Sequence, residues 1–184
     1  VKNISISIDG VKSNEFDIEL EGCTWHLDSF SLFQGLLSPN SLSFTMHKGP
    51  EEDINEALFA VCGQIIGKEI TLSLQTEIIT PNEVGDKTSE ISYKGVILSA
   101  SGSRSRSEYY VNVISGTWDS LLNDNPSCKS FENMTLNDIV NDVIDDYTNH
   151  LDSEIDPRYT EIIPYCVQYN ETNYQFLLRL ARRY

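Results

Sequence analysis

From residue 2 to about residue 114, apolar and polar residues alternate with a period of two, and this narrows the possible folds more than any other feature of the chain. Ile4, Ile6 and Ile8 form one set, followed by Phe16, Ile18 and Leu20, by Leu42, Phe44 and Met46, by Ile70, Leu72 and Leu74, and by Tyr109, Val111 and Val113. Successive side chains of a strand point to opposite faces, so each set marks the inward face of a half-buried β-strand. Asp9-Gly10, a favoured hairpin dipeptide, joins the first two sets, and the polar stretch after it predicts a loop longer than two residues. Trp25, Leu27, Phe30 and Leu32 slip out of phase by one position, which predicts a bulge near Asp28 and Ser29.

One helical pattern interrupts the strands. Pro50 opens it, Glu51, Glu52 and Asp53 fill its electropositive first turn, and Ile54, Ala57, Leu58 and Val61 recur at helical spacing before Gly63. Six or more strands with one inserted helix predict an α+β, mainly β fold, built as an antiparallel barrel or sandwich. Thr80 to Ser89 and Ala100 to Ser107 are rich in turn-forming residues and read as exposed hairpin tips.

After Ser115 the pattern changes. TWDSLLND reads as a short helical turn and Asn125-Pro126 as a breaker, so the chain divides into a β domain over 1–122 and a small α/β subdomain over 123–184. Thr135 and Asp138 have the spacing of a capping box, with Asp in the usual Glu position, ahead of a helical stripe of Leu136, Ile139, Val140, Val143, Ile144 and Tyr147. An acidic loop, a strand over IIPYCVQY and a final helix capped by Thr172 with Gln175 complete the order. Arg179, Arg182 and Arg183 suit the electronegative end of that helix. The chain starts at Val1 without methionine and stops at ARRY inside a helical pattern, which reads as a piece of a longer protein.

Charge excludes one class of partner. Lys and Arg number 13 against 28 Asp and Glu, a formal net charge of -15 that repels phosphate backbones, so nucleic acid is not an expected partner. No run reaches the ~18 apolar residues of a membrane helix, so no stable insertion in a membrane is expected, and the alternating N-terminus has no secretory h-region. Cys23, Cys62, Cys128 and Cys166 form no C-x-x-C pair and read as free, mostly buried thiols of a reducing cytoplasm, with disulfides the alternative.

Candidate chemistry is sparse. Asp138, Asp142 and Asp145 share one helix face beside Asp146 and could meet a hard cation, yet they lie opposite the apolar stripe, where a solvated acidic face is expected. Asp152, Glu154 and Asp156 begin like a calcium loop, but Pro157 follows where that loop needs its Gly. His26, His47 and His150 lie near no nucleophile elbow, and no phosphate-binding glycine loop occurs. No catalytic residue, metal site or cofactor is therefore nominated, and the chain is not expected to be an enzyme. The sequons at Asn3, Asn133 and Asn170 read as chance. Trp25, Tyr93, Tyr109 and Tyr110 are strand aromatics that either pack in the core or form a sugar- or peptide-binding platform, which leaves a β-sandwich binding module as the alternative function.

The segment PYCVQYNETNYQFLLRLARRY resembles a pattern carried by VgrG-type spike proteins and phage tail baseplate hubs of the late control protein D type. It runs through Val167, Gln168, Tyr169, Glu171, Thr172, Asn173, Tyr174, Phe176, Leu177, Arg179 and Leu180. SFENMTLNDIVNDVIDDY resembles the helix that precedes it in that family, and FSLFQGLLSPNSLSF, Ile66-Gly67-Lys68 and Tyr93-Lys94-Gly95-Val96-Ile97 are similar to its β region. The resemblance implies a tail-tube-like barrel followed by part of an α/β insertion, cut off before a second barrel and a spike. It further implies a structural hub of a type VI secretion apparatus, phage tail or related contractile injector. Such a hub is a homotrimer when full length and meets a tail-tube (Hcp-like) protein, spike or baseplate proteins and effector cargo. Made in the bacterial cytoplasm, it is exported through the apparatus without a signal peptide. Gln168, Tyr169 and Glu171 are expected to brace the last strand to the last helix.

Overall fold

The computed structural model describes residues 3–9, 11–12, 16–20, 22–35, 37–49, 55–78, 87–147 and 157–184, which fall into two compact units, Val1–Thr117 and Trp118–Tyr184. The division lies slightly before the boundary read from the sequence, because the 3-10 turn Trp118–Asn123 packs with the last helix of the second unit.

The first unit is one antiparallel sheet. Its strands are β1 (Asn3–Ile8), β2 (Val11–Lys12), β3 (Asp17–Leu20), β4 (Cys23–Phe33), β5 (Ser41–Lys48), β6 (Glu69–Ile78), β7 (Lys87–Ser105) and β8 (Glu108–Gly116). They are ordered β2-β1-β6-β7-β8-β5-β4-β3, and the edge strands β2 and β3 approach each other, so the sheet curls into a nearly closed barrel. Its interior is the apolar set of the alternating pattern: Ile6, Ile8, Ile18, Trp25, Leu42, Phe44, Met46, Ile70, Leu72, Val111 and Val113 are all buried. At about 1.5–3 kcal/mol for each large side chain removed from water, this interior drives the unit's folding. The phase slip in β4 is a bulge in the pairing with β5 between Leu27 and Ser29. A second bulge, between Ile97 and Ser99 in the β7–β8 ladder, has no comparable sequence signal.

Several local expectations are corrected. β1 does not pair with the strand containing Ile18. Asp9 (φ 52) instead turns the chain back so that Val11 and Lys12 pair with Ile8 and Ser7, while β3 pairs with β4, and Phe16 stands exposed. The inserted helix, α1 (Asn55–Ile65), does not stop at Gly63. Burial of Leu58, Val61, Cys62 and Ile65 outweighs the ~1 kcal/mol that an interior glycine costs, and the chain turns at Gly67 (φ +79). Residues 50–54, the expected start of this helix, lie outside the described residues. Ala100 to Ser105 is strand rather than turn, since pairing with β8 overrides the weak strand preference of Ser and Gly, and only Arg106 and Ser107 form the tip. Gly102 leaves room for Leu58 of α1, which would stand 2.7 Å from a Cβ there. Of the other expected tip, Lys87 to Ser89 belong to β7, and residues 80–86 lie outside the described residues.

The second unit pairs β9 (Ser127–Thr135) with β10 (Ile162–Glu171) in an antiparallel two-stranded sheet and adds α2 (Leu136–Ile144) and α3 (Asn173–Arg183). Phe131, Leu136, Ile139, Val143, Ile163, Cys166, Phe176 and Leu180 form its core, with the Phe131 and Phe176 rings stacked at 5.5 Å. Both helices open on complete capping boxes, Thr135 with Asp138 and Thr172 with Gln175. The apolar stripe that continues to Tyr147 leaves the α-helix at Ile144 for a 3-10 turn over Asp145–Tyr147.

Candidate functional site

The densest set of specific interactions in the chain lies on the segment from Val167 to Leu180. Gln168 is fully buried, and its Nε2 donates to the Glu171 carbonyl (3.0 Å) and to Asn173 Oδ1 (2.9 Å), tying the end of β10 to the first turn of α3. After Tyr169 the ladder with β9 shifts register and Asn170 takes φ 49, where the left-handed region favours Asn and Gly. This bulge swings Glu171 toward Arg179. The Arg179 guanidinium donates to both carboxylate oxygens of Glu171, reaches the Val167 carbonyl at 2.7 Å and lies 5.1 Å from the centre of the Phe176 ring. These hydrogen bonds from Arg179 hold the Glu171 carboxyl below its ordinary range, and Glu171 in turn raises Arg179. Thr172 Oγ1 accepts from the Gln175 amide and donates to Asn123 Oδ1 (2.9 Å), so the cap also anchors the 3-10 turn.

Phe176 and Leu180 are buried, Val167 and Leu177 are half-buried, and Tyr174 is half-buried with its hydroxyl pKa raised by burial and by the charge of Asp119. Tyr169 contributes through its main chain, which pairs with Cys128 and hydrogen-bonds the Glu171 carboxylate, and not through its ring. At 78% exposure the side chain faces solvent on the open side of the hairpin, as does that of Tyr165 at 62%. Arg179 departs from the role of serving the helix end, since its guanidinium is taken up by Glu171 and Val167 and only Arg182 and Arg183 occupy the last turn.

The remaining candidates separate in space. Asp138 is used by the α2 cap, Asp142 pairs with Lys129 at 3.4 Å, and Asp145 and Asp146 are exposed. Among the described residues no three ligating side chains converge on a metal position. Residues 148–156, with His150, Asp152, Glu154 and Asp156, lie outside the described residues. His26 meets Asp17 at 2.5 Å and faces His47 across the strands, ring centres 5.6 Å apart, with Tyr110 beyond. The Tyr110 hydroxyl bonds Glu108, which raises its pKa. Trp25, Tyr93 and Tyr109 are buried in the barrel core, so the aromatic platform of the alternative reading does not form. All four cysteines are free. Cys62 and Cys166 are buried, Cys23 is half-buried and Cys128, against expectation, is exposed.

The β-region landmarks have physical causes. A Cβ on Gly95 would stand 2.4 Å from the Gly116 carbonyl oxygen, beside a buried chain of hydrogen bonds from Tyr93 through Ser115 to the Leu42 carbonyl. Gly67 adopts a conformation other residues resist, and Lys68 pairs with Asp9 at 2.7 Å. In the loop after β4, Asn40 Oδ1 accepts from the Gly35 amide, while Leu37 is exposed. The outward side of β4, β5 and β8 carries an open groove of about 340 Å³ lined by Ser29, Ser31, Ser43, Thr45, Asn112 and Ile114.

A curled antiparallel barrel joined to a helix-and-hairpin unit whose motif is spent on bracing defines a mainly β structural module. A model of the phage tail baseplate hub (GPD) family matches residues 54–184, and the chain belongs to that family. No curated protein matches the sequence. Among solved structures, the fold is similar to that of the 43 kDa tail protein of prophage MuSo2 from Shewanella oneidensis, with TM-score 0.62 and 14% identity, over 99% of this chain and 48% of that one. It is also similar to the E. coli c3393 protein, described as a component of the type VI secretion system, with TM-score 0.57 and 15% identity, over 95% of this chain and 42% of that one. A chain of the Francisella PdpA–VgrG complex matches with TM-score 0.54 and 14% identity, over 98% of this chain and 28% of its own length. The chain thus spans less than half the length of each of these proteins.

Proposed function

We propose that the chain is the first part of a hub that seats the tail tube of a contractile injection system on its trimeric spike. The observation that carries this reading is family membership over residues 54–184, together with a fold that follows tail and secretion-system proteins along nearly the whole chain. The work is mechanical and templating. The full-length protein is a homotrimer whose barrels present a face to a ring of Hcp-like tube protein, adapt its symmetry to the threefold spike and travel with effector cargo. It is made in the bacterial cytoplasm and leaves through the apparatus itself. No bond is made or broken in this task, so rigidity is what the fold has to supply.

Two measurements on the full-length protein test the reading. Light scattering is expected to give the mass of three protomers, and co-sedimentation with preassembled tube rings is expected to recover the protein with the rings. A full-length monomer that ignores the rings would sink the proposal.

A further inference from the structure

The barrel unit contains only two arginines, Arg104 and Arg106, and both stand exposed at the end of the β7–β8 hairpin. Among the described residues of this unit, Lys68 pairs with Asp9 and Lys94 with Glu69. Among the described residues the side chains of Arg104 and Arg106 make no hydrogen bond or ion pair. Arg104 lies over the Tyr109 ring at 5.2 Å, which leaves the edges of its guanidinium free to donate.

The backbone adds a second observation. Ser105 pairs with Glu108, so Arg106 and Ser107 make a two-residue loop, and Arg106 sits there at φ 55. Glycine or asparagine takes that region without strain, whereas other residues held there cost on the order of 1–3 kcal/mol. A bland role exists for charge on this hairpin. From Leu98 on, β7 pairs only with β8 among the described residues, and charged side chains blunt such open edges. That role accounts for Arg104. It does not account for Arg106, which lies beyond the last strand pair and has no edge to protect.

We propose that this Arg104–Arg106 tip docks on a local cluster of carboxylates of a protein partner. This rests on the hub reading, for which it names the contact element and the chemistry of the surface met. An extended polyanion would meet the chain's net charge of -15 along its length, whereas a local carboxylate cluster meets only the tip. At physiological salt the Debye length is about 8 Å, so the nearest groups decide, and at the tip the two guanidiniums stand against one carboxylate, Glu108, which accepts from the Tyr110 hydroxyl. Two planar guanidiniums suit bidentate pairing with carboxylates, a geometry that lysine cannot reproduce.

The test uses full-length protein and preassembled rings of the tail-tube protein from the same cell, titrated from low to high salt. Arg104→Glu with Arg106→Glu is expected to weaken ring binding at least about tenfold. Arg104→Lys with Arg106→Lys is expected to fall between that variant and the unmodified protein, and the thermal unfolding of both variants to remain unchanged. If the Glu pair binds rings as well as the unmodified protein does, the tip makes no contact with the rings, and this inference falls while the hub reading stands. If the unmodified protein fails to bind rings, both fall. Equal affinity for duplex DNA or for vesicles of anionic lipid would also overturn the inference, since the tip would then read charge in general.

Discussion

The barrel and the annex that follows it are stabilised in different ways. The barrel encloses a continuous apolar interior supplied by nearly every strand, and its polar interactions are mostly the ladder bonds any sheet makes. The annex has a core of eight buried apolar side chains and a sheet of two strands, an arrangement marginal in water by itself. It adds what the barrel does not need: Gln168, Glu171, Thr172, Asn173 and Arg179 form a lattice that fixes β10 to α3. A small unit that cannot bury much surface is made rigid by specific polar contacts. Its stability is therefore expected to hinge on few residues, whereas the barrel's is spread over many.

The sharpest way to break the comparison is to remove one side chain from the smaller core. Phe176 is fully buried and stacked on Phe131, so Phe176→Ala is expected to cost the annex about 3–5 kcal/mol. The protein carries its own reporters, because of its two tryptophans Trp25 is buried in the barrel and Trp118 lies in the turn that packs with α3. In Phe176→Ala, studied with either tryptophan replaced by Phe, Trp118 emission is expected to shift at lower denaturant while the Trp25 transition stays in place. Coincident transitions that move together would show that the two units share one cooperative fold.

The same contrast explains what could be read in advance. Period-two alternation exposed the barrel because a curled sheet buries one face of each strand, and the bulge at Asp28 was legible because it breaks that phase. The bulge at Leu98 was not, since Ile97 and Leu98 are both apolar and hide the slip. β9 escaped notice because a strand in a two-stranded sheet, with Phe131 its only buried residue, need not alternate. Ala100 to Ser105 read as a turn because its residues favour turns, and only pairing with β8 makes it strand. In the annex the two caps were legible, being local. Arg179 was misassigned to the helix end because its partners, Glu171 and Val167, come within reach only through the bulge at Asn170.

The next largest effect concerns the ion pair. Replacing Glu171 with Gln leaves the guanidinium short of its charged acceptor and is expected to cost the annex about 1–2 kcal/mol at neutral pH. The sign of the pH dependence follows from the lowered carboxyl of Glu171 in the fold. A group that binds its proton more weakly when folded stabilises the fold above its unfolded pKa, and that gain is lost as pH falls through the folded value. The stability difference between the unmodified protein and Glu171→Gln is thus expected to be level near pH 7 and to shrink below about pH 4.3, the ordinary glutamate range. Trp118-detected unfolding at several pH values measures it, and a difference that grows on acidification would refute the clamp.

The smallest effect has the opposite sign and belongs to the barrel. Gly63 lies inside α1 on its exposed side, has no atom within 4 Å of where a Cβ would stand and does not use positive φ. Nothing in the fold requires a glycine there, so Gly63→Ala is expected to stabilise the unit by about 0.5–1 kcal/mol, mainly by narrowing the unfolded ensemble. Because α1 packs on β7 and β8, the gain should appear in the Trp25 transition and leave that of Trp118 unchanged. A loss of stability would mean that the exposed side of α1 does not tolerate a methyl group. Equal gains in both transitions would mean instead that barrel and annex unfold as one, and the division between a diffuse core and a braced one would have to be given up.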